Sequence, residues 1–430
     1  MAELFSLNAF RLATLTLELI DRYGFSLEDA FSKALKKLEK RDPNALKLTK
    51  LALAKFARAE LLLRKNSLDN LPRRRKCAFY VAYAIKTSGV TSEASFMETG
   101  LLSGKLRNLL KSVSVEKIEQ IIASLPPVER IAYTNSFPPW LVEELCKHLK
   151  LPDVEKLVKA SSRRVVWLRV NELKASVRQV MKRLERTVNL REDEDFPEML
   201  EIVGGEDIPV EVLKLAEKGF LVVQDKGSAA VVHALGQSRN LLVLDAAAAP
   251  GVKTSHVQQL SRNEAEIIAV DVSMKRVNDL KEMLTKMGVR GVHVVQADSS
   301  KIKFSQKFDK ILLDAPCTNT GAIISDPALR LSLWKKTNVS YFMSKQVNLI
   351  RNLLEHLKLG GSIVYSTCSL LSDEGETVID LTVQTDMLDS ESLLGVPGYA
   401  GYKCSKKVRR LYPHLHKSTG FFIAKATSKR

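Results

Sequence analysis

Two cysteines and a set of aspartates stand at the ends of short apolar runs, where nucleophilic chemistry would need them. Cys317 closes the run Asp314-Ala315-Pro316-Cys317, and Cys368 sits between Thr367 and Ser369 in YSTCS. A thiolate can add covalently to an electron-poor carbon. A carboxyl group nearby, here Asp314, can stabilise charge that develops on the substrate. A single cysteine beside a strand is more often packing. Two of them at strand ends, one three residues after an Asp, favour the functional reading.

A second constellation precedes them. Residues 241–254 read LLVLDAAAAPGVKT, an apolar run ending at Asp245, then small residues and Pro250-Gly251. Small side chains let backbone approach a ligand, and the free amides of a following helix start can face a carboxylate. The spacing is neither GxGxxG nor GxxxxGK[ST]. The next two apolar runs end at Asp271 and Asp298. An acid at the end of the second strand can accept hydrogen bonds from ribose hydroxyls, and one at the third can reach an adenine or an amino group. A lone Asp there is usually a helix cap, but three in succession favour a nucleotide-like cofactor.

These residues need elements to carry them. LLVLD, EIIAVD, GVHVVQAD, FDKILLDAP and GSIVYSTC are short β-rich runs, most of them separated by helix-patterned segments such as KRVNDLKEMLTKMG and QVNLIRNLLEHLKLG. That alternation predicts a parallel, doubly wound sheet with crossover helices. Gly360-Gly361 is expected to end a helix and start the last of these strands. Upstream, RRVVWLRVN, MLEIVG and FLVVQD read as strands and SVRQVMKRLERT and VEVLKLAEKG as helices, with REDEDFPE a polar surface loop. Residues 1 to about 155 carry apolar residues at helical spacing throughout.

The bulk properties bound the function. The chain has 430 residues, enough for two or three domains, and a formal net charge of +17. A basic surface favours polyanions, although a lysine-rich solubility surface gives the same number. The densest cluster, Arg73, Arg74, Arg75 and Lys76, is either a phosphate-contacting patch or a solvated helix start after Pro72. Five cysteines, odd in number and without a CxxC pair, argue against a disulfide framework or a zinc site. His414 and His416 read as structural residues in a loop or strand edge. No apolar run is long enough to span a bilayer, and MAELFSLNAF lacks the features of a secretion signal. A soluble, cytoplasmic protein without a metal is expected.

A thiolate, a carboxyl group and a methyl donor in one crevice suit the methylation of cytosine carbon 5. Addition of the thiolate to carbon 6 makes carbon 5 enamine-like. At these residues the chain resembles the Sun/Fmu (RsmB-like) family of RNA cytosine-5 methyltransferases. DAAAAPGVKT, DAPC, YSTCSL and the closing GFFIAKA carry the resemblance in order and spacing. WLRVNELK and VVQDKGSA are similar to that family's preceding small domain, and FPPWLVEEL with the helices before it to a NusB-type RNA-binding domain.

The resemblance implies S-adenosylmethionine as cofactor. Ala247, Ala248, Ala249, Pro250, Gly251, Val252 and Lys253 would line its site, with Asp271 on the ribose, Asp298 on the adenine side and Arg276 nearby. Asp314 would sit between cofactor and cytosine. The residues alone leave the choice of cysteine open; the resemblance makes Cys368 the nucleophile and Cys317 the residue that helps release product, with Lys253 in the catalytic set. Six positions depart from the pattern: Val252 replaces a glycine, Thr318-Asn319 a Ser-Gly or Ser-Ala, Ser325 an arginine, Ala328 an acid and Gly375 an asparagine.

The expectation is a three-domain chain. An all-α NusB-like domain (1–155) precedes a small α+β RRM-like domain (156–235) and a Rossmann-like α/β methyltransferase domain (236–430). It is expected to act as a monomer on RNA, ribosomal before transfer RNA. A catalytically weak ribosome-assembly factor and a methyltransferase for DNA or a small molecule are the other readings.

Overall fold

The computed structural model describes residues 5–89, 99–205, 207–391 and 393–429. The chain divides into two compact units, Met1–Ser162 with Ile323–Thr337, and Arg163–Ala322 with Asn338–Arg430.

The first unit is helical. Its longest helices are Leu7–Tyr23, Leu27–Leu38, Ala45–Lys65 and Arg73–Lys86. Serine hydroxyls cap several starts: Ser6 accepts from the Ala9 N–H at 3.0 Å and Ser26 from that of Asp29 at 3.2 Å. The first helix stops at Gly24, whose φ of 66° suits a residue without Cβ. Phe10, Leu53, Phe56, Phe79 and Leu106 form its core. Residues 323–337, expected inside the methyltransferase domain, pack here instead. Ala328 and Leu331 are buried in the same core. The Trp334 ring meets Phe56 and Tyr133 edge-on at centroid distances of 4.9 and 5.6 Å. The Trp140 indole N–H donates to the Leu333 carbonyl at 2.7 Å. An apolar face carrying leucine, alanine and tryptophan explains the placement, because it needs a partner surface.

The basic cluster is largely neutralised within this unit. Arg73 pairs with Asp21, Arg74 lies 3.9 Å from Glu18, and Lys76 lies 2.7 Å from Glu60. Pro72 occupies the cap position, so the helix-start reading describes three of the four side chains.

The second unit holds two sheets. Strands β1 (Val166–Val170), β2 (Leu190–Glu192), β3 (Met199–Ile202) and β4 (Leu221–Val223) form an antiparallel sheet in the order β2-β3-β1-β4. Helices Val177–Leu184 and Val210–Glu217 lie between β1 and β2 and between β3 and β4. This block is not a separate compact unit. Trp167, Phe196 and Met199 share a core with Val243, Leu312, Val364 and Ile423. The Asn171 amide donates to Gly219 O at 2.8 Å and to Met287 O at 2.7 Å, stitching β1 to the larger sheet's helices.

The larger sheet contains β5 (Leu242–Asp245), β6 (Glu266–Asp271), β7 (Val292–Gln296), β8 (Phe308–Asp314), β9 (Leu357–Thr367), β10 (Leu388–Asp389), β11 (Val396–Pro397), β12 (Arg409–Leu411) and β13 (Phe421–Thr427). The order is β11-β12-β13-β9-β8-β5-β6-β7, with β10 against β13. Strands β5 to β9 are parallel, whereas β13 runs antiparallel to β9 and to β12. The order reverses between β5 and β8, where an open α/β sheet leaves a crevice at the carboxyl ends of its strands.

Three local readings are corrected. Gly360-Gly361 lies inside β9, not at a helix end: Gly360 has φ 76° and the pairing to β8 shifts register there. REDEDFPE is not simply a surface loop: it begins in β2, and its Glu198 is 2% exposed. His414 and His416 lie in a short helix, Pro413–His416, where His416 Nδ1 accepts from the Tyr412 N–H at 2.9 Å. Among the described residues no helix is long and apolar enough to cross a membrane.

Candidate active site

The crevice at the strand ends has a volume of about 380 Å³. Its walls include Ala247, Ala249, Asp271, Arg276, Asp298, Asp314, Cys317 and Cys368. Ala248, Pro250 and Gly251 belong to the turn beside these residues, and Val252 and Lys253 begin the helix that follows it. Ala248 donates its N–H to Val270 O at 2.9 Å. Gly251, with φ 104°, caps the helix Val252–Leu260, and a Cβ there would meet Leu280 Cδ1 at 2.7 Å. Val252, the first residue of that helix, therefore sits downstream of the position where backbone freedom is needed.

Each acid is held in place. Asp271, at the end of β6, accepts from the Ser273 N–H at 3.0 Å and lies 3.3 Å from the Arg276 guanidinium. Arg276 also donates to the Ala249 carbonyl at 2.5 Å, tying the small-residue turn to β6. Asp298 accepts from the hydroxyl of Ser300 at 2.7 Å and its N–H at 3.0 Å, and these bonds hold its carboxyl below the usual range. Asp314 ends β8. Lys253 Nζ donates to one of its oxygens at 2.6 Å and the Ser366 hydroxyl to the other at 2.6 Å. Burial opposes the charge on Lys253, but Asp314 beside it outweighs that and raises the ammonium's pKa.

The two cysteines meet. Cys317 Sγ and Cys368 Sγ are 3.3 Å apart, and the Asn319 side-chain oxygen accepts from Cys368 at 2.9 Å and from Cys317 at 3.4 Å. The neighbouring Cys368 thiol and burial push the Cys317 thiol well above its ordinary value. All five cysteines are free.

Several residues at the site were missed by sequence reasoning. Ala246, Ala297, Ser299, Pro316, Lys345 and Leu349 also line the crevice. Glu374 is fully buried and accepts from the Thr318 N–H at 2.9 Å, the Ser369 hydroxyl at 2.6 Å and Gln346 Nε2 at 3.1 Å. Its position six residues after Cys368 was the available signal. Gly375, expected as asparagine, has no room for a side chain: a Cβ would meet Arg410 Nη2 and Phe422 Cδ2 at 2.8 Å each.

Behind the turn lies a buried polar chain. Fully buried Arg169 on β1 donates to Gln224 Oε1 at 2.6 Å, to Gln259, to Ser255 Oγ at 2.8 Å and to Val252 O at 3.3 Å. Burial lowers its guanidinium pKa to about 9. Gln224 Nε2 lies 3.2 Å from His256 Nδ1, and Glu198 Oε1 lies 2.9 Å from His256 Nε2 and 2.7 Å from His233 Nε2. Glu198, His233 and His256 place ligand atoms within 4.8 Å of one another, a set that could hold a cation. Arg169 fixes Gln224 with its oxygen toward the guanidinium, so the amide N–H faces His256 Nδ1. The His256 proton then sits on Nε2 and points at Glu198, which satisfies the set by hydrogen bonds alone.

A largely parallel sheet with antiparallel strands toward one side, acids ending successive strands and a small-residue turn beside the crevice suit an S-adenosylmethionine site. Residues 232–427 match the family model described as 16S rRNA methyltransferase RsmB/F. A curated tRNA (cytosine(72)-C(5))-methyltransferase of Pyrococcus horikoshii is 36% identical over 54% of this chain, and the chain spans 61% of that relative's length. The ribosomal RNA small subunit methyltransferase B of Citrobacter koseri is 27% identical, with 98% of this chain and 99% of the relative covered. The crystal structure of PH0851 superposes with a TM-score of 0.77 at 25% identity, covering 99% of this chain and 100% of that one.

Proposed function

We propose that the protein methylates carbon 5 of a cytosine in ribosomal RNA through a covalent adduct with Cys368. The observation that carries this reading is the pair of thiols 3.3 Å apart on the crevice wall that also holds Asp314. The crevice fits the cofactor: its alanines leave space and Asp271 and Asp298 offer carboxylates to ribose and adenine donors. S-adenosylmethionine supplies an electrophilic methyl group on a sulfonium sulfur.

Cys368 ionises and its sulfur bonds to carbon 6, which moves the ring's 5,6 electron pair toward carbon 5. Asp314, steadied by Lys253 and Ser366, faces ring nitrogen 3 and accepts a hydrogen bond from the proton that nitrogen takes up from solvent, which neutralises the negative charge developing on the ring. Carbon 5 becomes the methyl acceptor and then loses its proton to a base. The freed electron pair restores the 5,6 double bond and expels the Cys368 sulfur. Cys317, kept as a thiol by its hydrogen bond with Cys368 and by burial, assists that release. The target base must be unpaired or flipped to reach the crevice.

We read the helical residues 1–155 as a NusB-like RNA-binding domain. The βαββαβ block within 156–235 is RRM-like, and 236–430 is the catalytic domain. The full-length match to a small-subunit ribosomal RNA enzyme favours ribosomal RNA, and the tRNA-modifying relative makes transfer RNA the second reading.

The test uses tritiated S-adenosylmethionine with unmodified ribosomal and transfer RNA. Label in 5-methylcytidine with wild type, none with Cys368→Ala, and a trapped protein–RNA adduct with Cys317→Ala are expected. Full activity of Cys368→Ala would overturn the nucleophile assignment, and label in transfer RNA alone would change the substrate.

A further inference from the structure

We propose that Asn319 is a positioning residue that sets the charge state of Cys368 by turning over its carboxamide. The inference rests on the reading of Cys368 as nucleophile.

Asn319 is exposed on the crevice wall and its backbone is left-handed, with φ 60°. Its flanking residues are clamped to the Cys368 loop. The Thr318 N–H donates to Glu374 at 2.9 Å, Thr320 Oγ1 accepts from the Leu370 N–H at 2.9 Å, and the Gly321 N–H donates to Cys368 O at 3.0 Å. The backbone therefore holds the Asn319 side chain against both sulfurs while leaving its terminal torsion free. Among the described residues its Nδ2 has no side-chain or backbone partner, so rotation breaks no other bond.

With Oδ1 inward, the carboxamide accepts from two thiols, which suits the protonated pair. An oxygen lone pair beside an ionised sulfur is repulsive. A half-turn about Cβ–Cγ exchanges Oδ1 for Nδ2 at nearly the same point and presents an N–H donor to the Cys368 thiolate. The Cys317 S–H, 3.3 Å away, is the second donor. The proton lost from Cys368 leaves to solvent through the open crevice. A hydrogen bond to the charged form favours it, so the turned carboxamide enlarges the thiolate fraction before substrate arrives.

The experiment measures Cys368 alkylation by iodoacetamide in the full chain from pH 5 to 10, read by peptide mass spectrometry. The thiolate sulfur displaces iodide, so the rate follows the thiolate fraction. Asn319→Gly suits the left-handed backbone and removes the carboxamide. It is expected to move the midpoint up by about one pH unit, roughly tenfold less thiolate at neutral pH. Asn319→Asp puts a carboxylate beside the sulfur and is expected to move it further up. An unchanged or lowered midpoint in Asn319→Gly overturns the proposal. The nucleophile reading is judged separately: methyl transfer by Cys368→Ala would sink it whatever the alkylation profiles show.

Discussion

The Thr318 backbone N–H donates to the buried carboxylate of Glu374 at 2.9 Å, and the Thr318 hydroxyl donates to its other oxygen. Glu374 also takes the Ser369 hydroxyl, so one side chain fastens the residue after Cys317 to the residue after Cys368. The spacing of the two sulfurs is thus held by a carboxylate that touches neither. A buried acceptor with this many donors is costly to change.

Glu374→Gln keeps the shape but turns one acceptor into a donor facing donors. We expect a loss of about 2–3 kcal/mol of stability and a fall of at least tenfold in methyl transfer, with cofactor affinity kept. Chemical denaturation and calorimetric titration with S-adenosylmethionine would measure both. Unaltered transfer would mean that the loops hold their spacing without Glu374.

Arg169 reaches the same site from the other side, through Val252 O and Ser255 Oγ. Arg169→Met should leave several buried acceptors unpaired and weaken cofactor binding about tenfold or more. Arg169→Lys should not rescue it, because one ammonium cannot reproduce a planar fork shared among four residues. Equal cofactor affinity in arginine and lysine forms would disprove the geometric argument.

Asp245 gives a pH prediction. Burial pushes its carboxyl up to about 6, although Thr254 Oγ1 donates to it at 2.7 Å. The folded chain then binds more protons than the unfolded chain between about pH 4 and 6. Its contribution to stability is full below pH 4 and falls as pH rises through that window. The loss is on the order of 3 kcal/mol. Urea denaturation of wild type against Asp245→Asn should show the variant's midpoint flatter across pH 4 to 6; parallel curves would contradict the assignment.

Residues 323–337 supply Ala328, Leu331 and Trp334 to the helical unit. Trp334→Ala should destabilise that unit by about 3 kcal/mol. A fragment ending at Ser162 should show helical circular dichroism without a cooperative thermal transition. Adding a peptide of residues 323–337 should raise its stability. A sharp transition in the fragment alone would show the insertion to be dispensable.

The catalytic sheet was legible because its strands are short apolar runs whose ends carry the chemistry: Asp245, Asp271 and Asp314 all close strands. The helices of the first unit were legible from apolar spacing. What was hidden depends on tertiary partners. Glu198 lies in an acidic stretch that reads as solvated, yet two histidines from the helices Lys226–Leu235 and Val252–Leu260 bury it. Gly360-Gly361 looks like punctuation, yet a Cβ on Gly361 would strike Asp309 O at 2.8 Å, so the pair serves a strand that kinks against β8. Asn319 and Glu374 gain their partners only when the loops after β8 and β9 meet.

The return of residues 323–337 to the helical unit also sets a timetable for biosynthesis. Domains ordinarily fold as units in the order of their emergence from the ribosome. Here the first unit is missing part of its own interior until Thr337 has left the exit tunnel, when β5 to β8 have already been made. The amino-terminal helices must wait, partly open, for a segment coded in the midst of the second unit, which itself still awaits β9 to β13.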